Sequence, residues 1–528
     1  MKSIQVLDCT LRDGGYCNQW KFGKTNITKI IDGLLVANID IIECGFLTNK
    51  VAHDVNISKY NTIEQINSFI PKTKQGKLFV AMINYGEYDI KQLPCFTDGG
   101  VDGFRIAFHK KNRFEALEMC KAIKEKGYKV FIQPMVSVTY SDAEFIEMIN
   151  LVNIFEPYAF YIVDSFGMMK NKDLLRFYYL VENNLKETIK IGFHSHNNLQ
   201  LAYSNALSLV NNQTNRCLIV DSSIYGMGRG AGNLNTELFV EYLNDNYEKQ
   251  YDIKPLLRII DEILNKFHHE NYWGYSLPNY LSAKHNAHPN YAGFLSDKNT
   301  LTFENINEIF EMMPPEKKVE YDKNYIESLY IQYLEKGNIQ TNRAESLKNV
   351  FCGKSVLLIA PGKSSQIEKD KIISFTKSKD LVTVSVNFDY SFVKCDYVFV
   401  SNLRRFKELG EEGRTKSIVT SNIPYDGVYY QVEYKQLLNN EEFVADNAGL
   451  MAINLLISFG VKEIYLAGFD GYSHESKDNY IDDKMALVTK NAMLDEMNAG
   501  MIRVLSKFNR TIPIHFLTTE KHLRIGGK

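Results

Sequence analysis

The stretch that decides the fold reads KIGFHSHNN and spans residues 190–198. It begins as a short β-rich run, and it contains two histidines, His194 and His196. Residues two positions apart on a strand point to the same face, so both imidazoles can reach one point in space. The pattern predicts a strand, Lys190–His196, whose carboxyl end carries functional groups.

Seven other short β-rich runs share this design, and helix-length segments separate them. They are Ile4–Asp8, Asp40–Cys44, Leu78–Ile83, Gly103–Phe108, Lys129–Gln133, Phe160–Asp164 and Cys217–Ser222. Strands that alternate with helices form right-handed parallel units, and eight such units close a TIM (β/α)₈ barrel. Because active sites of this fold lie at the carboxyl ends of the strands, the polar residues that end these runs are expected in one pocket.

A second alternating pattern begins at Ser355 and predicts a Rossmann-like, doubly wound α/β domain. Its expected strands are SVLLIA (355–360), LVTVSVN (381–387), CDYVFVSN (395–402), EIYLAG (463–468) and IPIHFLT (512–518), with a helix over Ala448–Phe459. A chain of 528 residues exceeds the size of a single core. We therefore expect a barrel with a helical extension in residues 1–300, a helical connector in 301–350 and the second domain in 351–528.

The composition excludes several classes of protein. Hydrophobic residues make up 45% of the chain and charged residues 23%, and the net charge is −2, so nucleic acid is not an expected partner. No apolar run approaches the length of a membrane span, and no signal peptide is recognised, which favours a cytoplasmic location. The eight cysteines form no CxxC pair and are expected to be reduced thiols.

Asp13 follows the first predicted strand and lies at the same barrel end as His194 and His196. One carboxylate and two imidazoles suit Mn²⁺ or Mg²⁺, with Co²⁺ or Zn²⁺ as alternatives. Such a cation can chelate a 2-keto acid and stabilise the enolate formed at the neighbouring carbon. Arg12 is expected either to stabilise the enolate oxygen or to form an ion pair at the barrel rim.

Three segments, in this order along the chain, resemble one family. They are LDCTLRDGGY (Leu7–Tyr16), HSHNN (His194–Asn198) and GMGRGAGNLNTE (Gly226–Glu237), and they resemble the metal-dependent aldolases and lyases that include 4-hydroxy-2-oxovalerate aldolase, 3-hydroxy-3-methylglutaryl-CoA lyase and 2-isopropylmalate synthase. The resemblance covers about residues 1–295. It implies that Asp13, His194 and His196 bind the metal and that Arg12 stabilises the enolate, and Asn233 matches a position that contacts or ligates the metal in part of the superfamily.

The run WGYSLPNYLSAKHNAHPNY (273–291) resembles the hydroxy-oxovalerate aldolase branch, but one position departs from it. That branch has a catalytic histidine shortly after the Arg-Asp pair, where this chain has Gly15 and Tyr16. Tyr16 is the first candidate for the proton transfer, and the alternatives are His109, His285, His288 and Tyr291. Three further strand-end residues, Glu43, Arg105 and Gln133, are expected to contact the acceptor aldehyde or to orient the ligands, with Arg105 preferred as the anchor of an anionic substrate. The repeated glycines Gly226, Gly228, Gly230 and Gly232 either close the metal pocket or form a phosphate loop.

In the second domain, PGKSS (361–365) joins a strand to a helix and could hold an anion. The region resembles a Rossmann-like group that contains bacterial sialyltransferases and pterin diphosphokinase-like proteins. This resemblance implies a nucleotide or nucleotide-sugar partner, and the candidate contacts are Gly362, Lys363, Ser364, Asn387, Asp470 and His474. The alternative is a domain retained for assembly.

These observations favour a metal-dependent aldolase that joins a 2-keto acid such as pyruvate to an aldehyde, or cleaves the product. If the second domain binds an activated sugar, the enzyme suits the biosynthesis of a keto-sugar for a bacterial surface glycan. The alternatives are an acyl-CoA Claisen-type synthase or lyase, and a carbohydrate-binding or scaffold protein without catalysis. The resemblance also implies a homodimer or a higher homo-oligomer.

Overall fold

The computed structural model describes residues 3–298, 301, 303–335, 344–423, 430–482 and 491–523. Their contacts divide the chain into two units, Met1–Gly293 with Met313–Tyr321 and Phe294–Met312 with Asp322–Lys528. Residues 301–350, predicted as a connector, contribute to both units. The boundaries at 300 and 350 remain predictions.

The first unit is a closed parallel barrel, as the sequence predicts. Its strands are β1 (Ile4–Asp8), β2 (Ile41–Leu47), β4 (Leu78–Asn84), β5 (Gly103–Phe108), β6 (Lys129–Pro134), β7 (Ala159–Asp164), β8 (Lys190–Ser195) and β9 (Leu218–Ser222), and the short β3 (Lys59–Tyr60) pairs with the end of β2. The order is β1-β9-β8-β7-β6-β5-β4-β2, and pairing of β1 with β2 closes the ring. All eight barrel strands are therefore parallel and present their carboxyl ends at one face.

Helices surround the barrel because each has one apolar face. In α5 (Asp142–Phe155) the buried side chains are Phe145, Met148, Ile149 and Val152, which fall on one helical stripe. Ser141 and Glu144 form a capping box that begins this helix. The other helices of the unit are α1 (Gly15–Asn18), α2 (Lys24–Val36), α3 (Ile63–Asn67), α4 (Arg113–Glu125), α6 (Asn171–Asn184), α7 (Ala202–Asn211), α8 (Thr236–Tyr247), α9 (Lys254–Ile259), a π-helical turn (Ile260–Leu264), α10 (Asn265–Glu270), α11 (Leu277–Lys284) and α12 (Pro289–Asp297), which crosses the unit boundary.

An apolar cluster occupies the middle of the barrel interior. Leu7, Val80, Phe131, Tyr161 and Ile219 form one buried cluster, distinct from the larger core between strands and helices. Burial of such side chains contributes roughly 1.5–3 kcal/mol each. The polar groups of the candidate site lie beyond this cluster, toward the carboxyl ends of the strands.

One detail of the predicted strands differs. The strand that carries His194 ends at Ser195, so His196 lies just beyond β8. A backbone bridge to Asn233 and a hydrogen bond from His196 N to the Asp164 carbonyl, 3.1 Å, fix its position instead. The two imidazoles still meet, with ring centres 5.1 Å apart.

The second unit contains a seven-stranded, all-parallel sheet of order β14-β13-β12-β11-β10-β15-β16, which confirms a Rossmann-like fold. The strands are β10 (Ser355–Ile359), β11 (Val382–Val386), β12 (Tyr397–Val400), β13 (Ser417–Thr420), β14 (Tyr430–Val432), β15 (Glu463–Ala467) and β16 (Ile514–Phe516). The strand order reverses beside β10, between β11 and β15. The sequence patterns did not predict β13 and β14, which have four and three residues.

The remaining helices follow the chain from the barrel to its last strand. They are α13 (Phe303–Met312), α14 (Pro315–Lys318), α15 (Lys323–Glu335), α16 (Ala344–Phe351), α17 (Lys363–Ile367), α18 (Lys369–Ser378), α19 (Leu403–Glu408), α20 (Glu411–Thr415), α21 (Tyr434–Leu437), α22 (Ala448–Ser458) and α23 (Asn491–Thr511). Within the described ranges, no helix is both long enough and apolar enough to cross a membrane.

Candidate metal centre and substrate cavity

Three buried side chains meet at the carboxyl face of the barrel. Asp13, His194 and His196 each offer a ligand atom, and these atoms lie within 4.8 Å of one another. The Nε2 atom of His196 is 3.7 Å from Oδ2 of Asp13. The loop after β1 turns tightly, with Asp13 N donating to the Cys9 carbonyl at 2.8 Å, and this turn directs the carboxylate inwards. The structure thus brings together the three residues predicted as metal ligands.

The protonation states in this group suit a cation. Burial lowers the pKa of His196 to about 3, which outweighs the opposing effect of Asp13, so the imidazole is neutral at pH 7. Burial alone would raise the pKa of Asp13, but the facing His196 and the guanidinium of Arg12 hold it below its usual value. An ionised carboxylate beside a neutral imidazole is the form in which these residues bind metals.

A chain of buried charges begins at Asp13. The Nη1 atom of Arg12 donates to Oδ1 of Asp13 at 2.7 Å, and its Nε donates to Oε2 of Glu43 at 2.9 Å. The same Glu43 oxygen accepts a hydrogen bond of 2.7 Å from Nη1 of Arg105. Glu43 therefore holds two guanidinium groups in fixed positions.

The chain ends at the second ligand. Arg105 forms an ion pair with Asp221, and Oδ2 of Asp221 lies 3.0 Å from Nδ1 of His194. A carboxylate at Nδ1 favours the tautomer with a proton on that atom, which leaves Nε2 free as a ligand. The buried charges thus orient both Asp13 and His194.

Arg105 and Glu43, for which two roles are predicted, both belong to this network. Arg105 is fully buried and Glu43 is 1% exposed, and neither is among the described residues that line the substrate cavity. Arg105 forms one ion pair with Glu43 and another with Asp221. The two side chains therefore lie where they can orient the ligands, and a contact of Arg105 with a substrate stays a prediction.

Asn233 lies directly against the triad. Its Nδ2 donates to Oδ2 of Asp13 at 2.7 Å and to the Met227 carbonyl at 3.2 Å. Its Oδ1 is buried and has no hydrogen-bond partner in the described part of the chain. Gly228 makes this approach possible, because a Cβ at that position would lie 2.4 Å from Asn233 Nδ2 and 2.9 Å from Asp13 Oδ2. The amide thus has an unused oxygen next to the carboxylate.

A cavity of about 260 Å³ opens above the triad. Much of its wall is apolar, and this part consists of Phe46, Met82, Ala107, Phe108, Met135, Val136, Val163 and Phe166. Three buried donors on the wall, Nη2 of Arg12, Nε2 of Gln133 and Nε of Arg229, have no partner among the described residues. Buried donors of this kind can be satisfied by a bound molecule or by water.

Three of the five candidates for proton transfer line the cavity. Tyr16 is 42% exposed at the wall, and desolvation raises the pKa of its phenol, so the hydroxyl is protonated at neutral pH. Burial lowers the pKa of His288 to about 3 and also lowers that of His109, and both line the cavity as neutral imidazoles. His285 is not on the cavity wall, and Tyr291 donates its hydroxyl to the Lys317 and Glu320 carbonyls instead.

Arg229 is a cavity residue that the sequence reasoning did not single out. Its guanidinium carbon lies 5.3 Å from the centre of the Tyr16 ring. The signal was present, since Arg229 is the one basic residue in GMGRGAGNLNTE. Arg229 lies between Gly228 and Gly230 and lines the cavity.

The second unit has its own cavity of about 340 Å³. Gly362, Asn387 and Asp470 line it, but Lys363, Ser364 and His474 are not among the lining residues. Asp470 accepts hydrogen bonds from both the backbone N, 2.7 Å, and the hydroxyl of Ser364. The PGKSS loop therefore donates these groups to a carboxylate of the protein rather than to an external anion.

Comparisons with known proteins find similarity over the barrel segment. Residues 107–263 match the model of the HMGL-like family. The 4-hydroxy-2-oxovalerate aldolase of Pelotomaculum thermopropionicum is 29% identical over 259 residues, which cover 48% of this chain and 74% of that enzyme. The enzyme of the same name from Geobacillus genomosp. 3 is 28% identical over 246 residues, 46% of this chain and 71% of its own length. A crystal structure of the N-terminal domain of a proposed aldolase from Bacteroides vulgatus aligns with 57% of this chain and 98% of that one, at 27% identity and a TM-score of 0.49.

Proposed function

We propose that this chain, whose barrel segment belongs to the HMGL-like superfamily of metal-dependent aldolases and lyases, forms or cleaves a carbon–carbon bond beside the carbonyl of a 2-keto acid. The expected keto acid is pyruvate, and its partner is an aldehyde. The observation that carries the proposal is the buried group of Asp13, His194 and His196 with Arg12 beside it. All four side chains adjoin one cavity, where a small substrate can meet them.

The residues present fit a divalent cation. One carboxylate, two imidazoles and the unused amide oxygen of Asn233 form a mixed oxygen and nitrogen set of the kind that holds Mn²⁺ or Mg²⁺. A bound cation would supply Lewis-acid polarisation of the keto oxygen. Co²⁺ or Zn²⁺ would also suit these ligands.

The protein's own groups act around the substrate oxygen. Arg12 is fixed by Asp13 and Glu43, so its remaining Nη2 is a preorganised donor for the developing enolate charge. The proton that the neighbouring carbon loses goes to a neutral imidazole on the wall, His288 or His109. The free Nε2 donor of Gln133 can bind a second substrate oxygen. The apolar wall excludes water and strengthens these contacts.

Proton transfer falls to Tyr16, His288 or His109. Tyr16 has a protonated hydroxyl and can give a proton to the aldehyde oxygen when the new bond forms, then take it back in the cleavage direction. His288 is a neutral imidazole on the same wall and can take this role if Tyr16 only positions the aldehyde. A Tyr16→Phe variant separates the two, since only the first role requires the hydroxyl.

The decisive experiment measures deuterium exchange of the pyruvate methyl protons by mass spectrometry, without any aldehyde. We expect exchange with added Mn²⁺ or Mg²⁺, loss of exchange with a chelator, and a rate about 10²- to 10³-fold lower in His196→Ala. His269→Ala is the matched control, because His269 is exposed on α10 and should leave the rate unchanged. Exchange that persists without metal, or in His196→Ala, would contradict the proposal.

Turnover assays with and without an acyl-CoA, together with metal analysis, discriminate the alternatives. Cleavage or synthesis that requires an acyl-CoA would favour a Claisen-type enzyme. Absence of both metal binding and exchange would favour a scaffold or carbohydrate-binding protein.

We also propose that the second unit binds a nucleotide or nucleotide-sugar, which would place the enzyme in the synthesis of a keto-sugar for a surface glycan. The supporting observation is a cavity beside β10, where the strand order of the sheet reverses and doubly wound folds bind ligands. Calorimetric titration with UDP, CDP and ADP tests the proposal. We expect one of them to bind and Asn387→Ala to weaken it, with the exposed Asn183→Ala as control. No binding of any of the three would favour an assembly role.

A further inference from the structure

Arg229 is held rigidly on the wall of the barrel cavity. Its Nη2 donates to the Ser165 carbonyl at 3.1 Å, and its guanidinium lies against the ring of Tyr16. Asn198 fixes the loop that carries it by accepting a hydrogen bond of 2.8 Å from Ala231 N. A long side chain that is held in this way is prepared to bind, because little conformational freedom remains to be lost.

The guanidinium of Arg229 helps to lower the pKa of the Asp13 carboxyl, but it makes no direct ion pair within the described part of the barrel. Over the described residues, no carboxylate forms an ion pair with it, and its buried Nε has no hydrogen-bond partner. Arg12, on the same wall, is already bound by Asp13 and Glu43. An arginine with an open donor and an unmatched charge beside a cavity indicates an anionic ligand, since guanidinium groups match the geometry of carboxylate and phosphate.

The titratable groups on the wall include Asp13, whose carboxylate is paired with Arg12, and the side chains of His109, His288 and Glu87. His109 and His288 are neutral, because burial lowers the pKa of each and the charge of Arg229 adds to the effect. The carboxylate of Glu87 also lines the cavity but forms no ion pair with Arg229 among the described residues. A neutral imidazole can donate one further hydrogen bond to the same anion.

We infer that Arg229 binds an anionic group, a phosphate or a carboxylate, on the acceptor aldehyde, and so selects anionic aldehydes over neutral ones. The inference rests on the proposed aldol function for the role of the bound molecule. The keto acid is expected at the metal ligands, where Arg12 has the free donor. Arg229 lies instead beside Tyr16, which is 42% exposed and therefore toward the opening through which the acceptor enters.

The test compares aldehydes that differ in charge but little in length. Glyceraldehyde 3-phosphate is paired with glyceraldehyde, and succinic semialdehyde with butanal, each with pyruvate and metal. We expect Arg229→Gln to lower kcat/KM for the preferred anionic aldehyde about 10- to 100-fold, mainly through KM, and for its neutral partner less than about threefold. Arg176→Gln is the control, because it removes an arginine from the outer surface, where Arg176 pairs with Asp142.

Two outcomes would overturn the inference. Equal losses for anionic and neutral aldehydes, together with a similar loss of pyruvate exchange, would assign Arg229 to the keto acid carboxylate. An unchanged preference in Arg229→Gln would show that the guanidinium contacts no anionic group of the acceptor.

A binding measurement separates this inference from the aldolase proposal. Inorganic phosphate is titrated into metal-free full-length protein by calorimetry, with wild type, Arg229→Gln and Arg176→Gln. We expect the Kd to rise about tenfold or more only in Arg229→Gln. Equal affinity in all three proteins would overturn the anion site even if pyruvate exchange is observed. Phosphate binding that depends on Arg229, without any pyruvate exchange, would support the anion site and contradict the aldolase function.

Discussion

The two parallel sheets of this protein both end in polar residues, but they use them differently. In the barrel, Asp13, His194 and His196 meet beside an unpartnered N–H donor of Arg12 and an unpartnered amide oxygen of Asn233. In the Rossmann-like unit, Ser364 of the conspicuous PGKSS loop already donates its backbone N and its hydroxyl to Asp470. Polar atoms at the first sheet end remain without partners in the described residues, whereas Ser364 of the second loop is already hydrogen-bonded to Asp470.

The difference teaches that a polar strand end becomes a site only when its groups remain unmatched after folding. Buried donors and acceptors without partners are costly, so a fold keeps them where a ligand or an ion satisfies them. The barrel meets this criterion at several atoms. In the second cavity, a buried atom of this kind is Oδ1 of Asn387, which makes Asn387 a better candidate contact than Lys363 or Ser364.

The largest expected effect is on the stability of the barrel. Arg105→Ala leaves the buried carboxylates of Glu43 and Asp221 without their shared partner, which should lower the free energy of unfolding by about 3–5 kcal/mol. Urea unfolding followed by tryptophan fluorescence reports this unit, because both tryptophans, Trp20 and Trp273, belong to it. Arg176→Ala on the surface should cost less than about 1 kcal/mol. Equal losses of unfolding free energy in the two variants would mean that the buried network stabilises the barrel no more than a surface ion pair does.

Catalysis should respond to Arg12 nearly as strongly. Arg12→Gln removes the preorganised cationic donor and should lower the rate of pyruvate exchange about 10²- to 10³-fold. Metal affinity, measured by Mn²⁺ titration, should fall much less than in His196→Ala, because the three ligands remain. If both variants lose metal equally, Arg12 acts only by orienting Asp13.

In the second unit, Asp470→Ala tests whether the PGKSS loop depends on its internal acceptor. The buried Ser364 N–H loses its partner, so this unit should lose about 1–3 kcal/mol of stability. Thermal unfolding by circular dichroism should show the change, while the tryptophan signal of the barrel stays as in wild type. An unaltered circular dichroism transition would mean that the loop is not held by Asp470.

The smallest effect is a local one at the metal group. Gly228→Ala places a methyl carbon against Asn233 Nδ2 and Asp13 Oδ2, so Asn233 must shift and Mn²⁺ affinity should fall about tenfold. Gly410→Ala is the control, since a Cβ there meets nothing within 4 Å. Unchanged affinity would show that Asn233 does not contribute to the cation site.

Much of this architecture follows from sequence periodicity. The eight barrel strands are long enough and regularly spaced by helices, so their alternation predicts both the fold and the end at which polar groups gather. The strands β13 and β14 escape detection because three or four residues carry too little pattern. His196 shows the same limit, since its position depends on a bridge to Asn233 rather than on the strand.

Sequence predicts the positions of the polar strand-end residues better than it predicts their functions. Arg105 and Glu43 are polar strand ends like Asp13, and only their mutual hydrogen bond shows that their charges are already used. The glycine-rich pattern around Arg229 does not indicate that its side chain lines the cavity. Sequence tells which groups arrive at the barrel mouth, while the partners that each finds there depend on side-chain geometry.

The closing pair of strands has a consequence for how the protein acquires its activity. Asp13 follows β1 and Asn233 follows β9, and the hydrogen bond between them joins residues 220 positions apart. Neither end of the barrel alone holds the complete set of ligands. During refolding, tight Mn²⁺ binding should therefore begin only when β1 pairs with β9. The rate of Mn²⁺ binding then reports the rate at which the barrel closes.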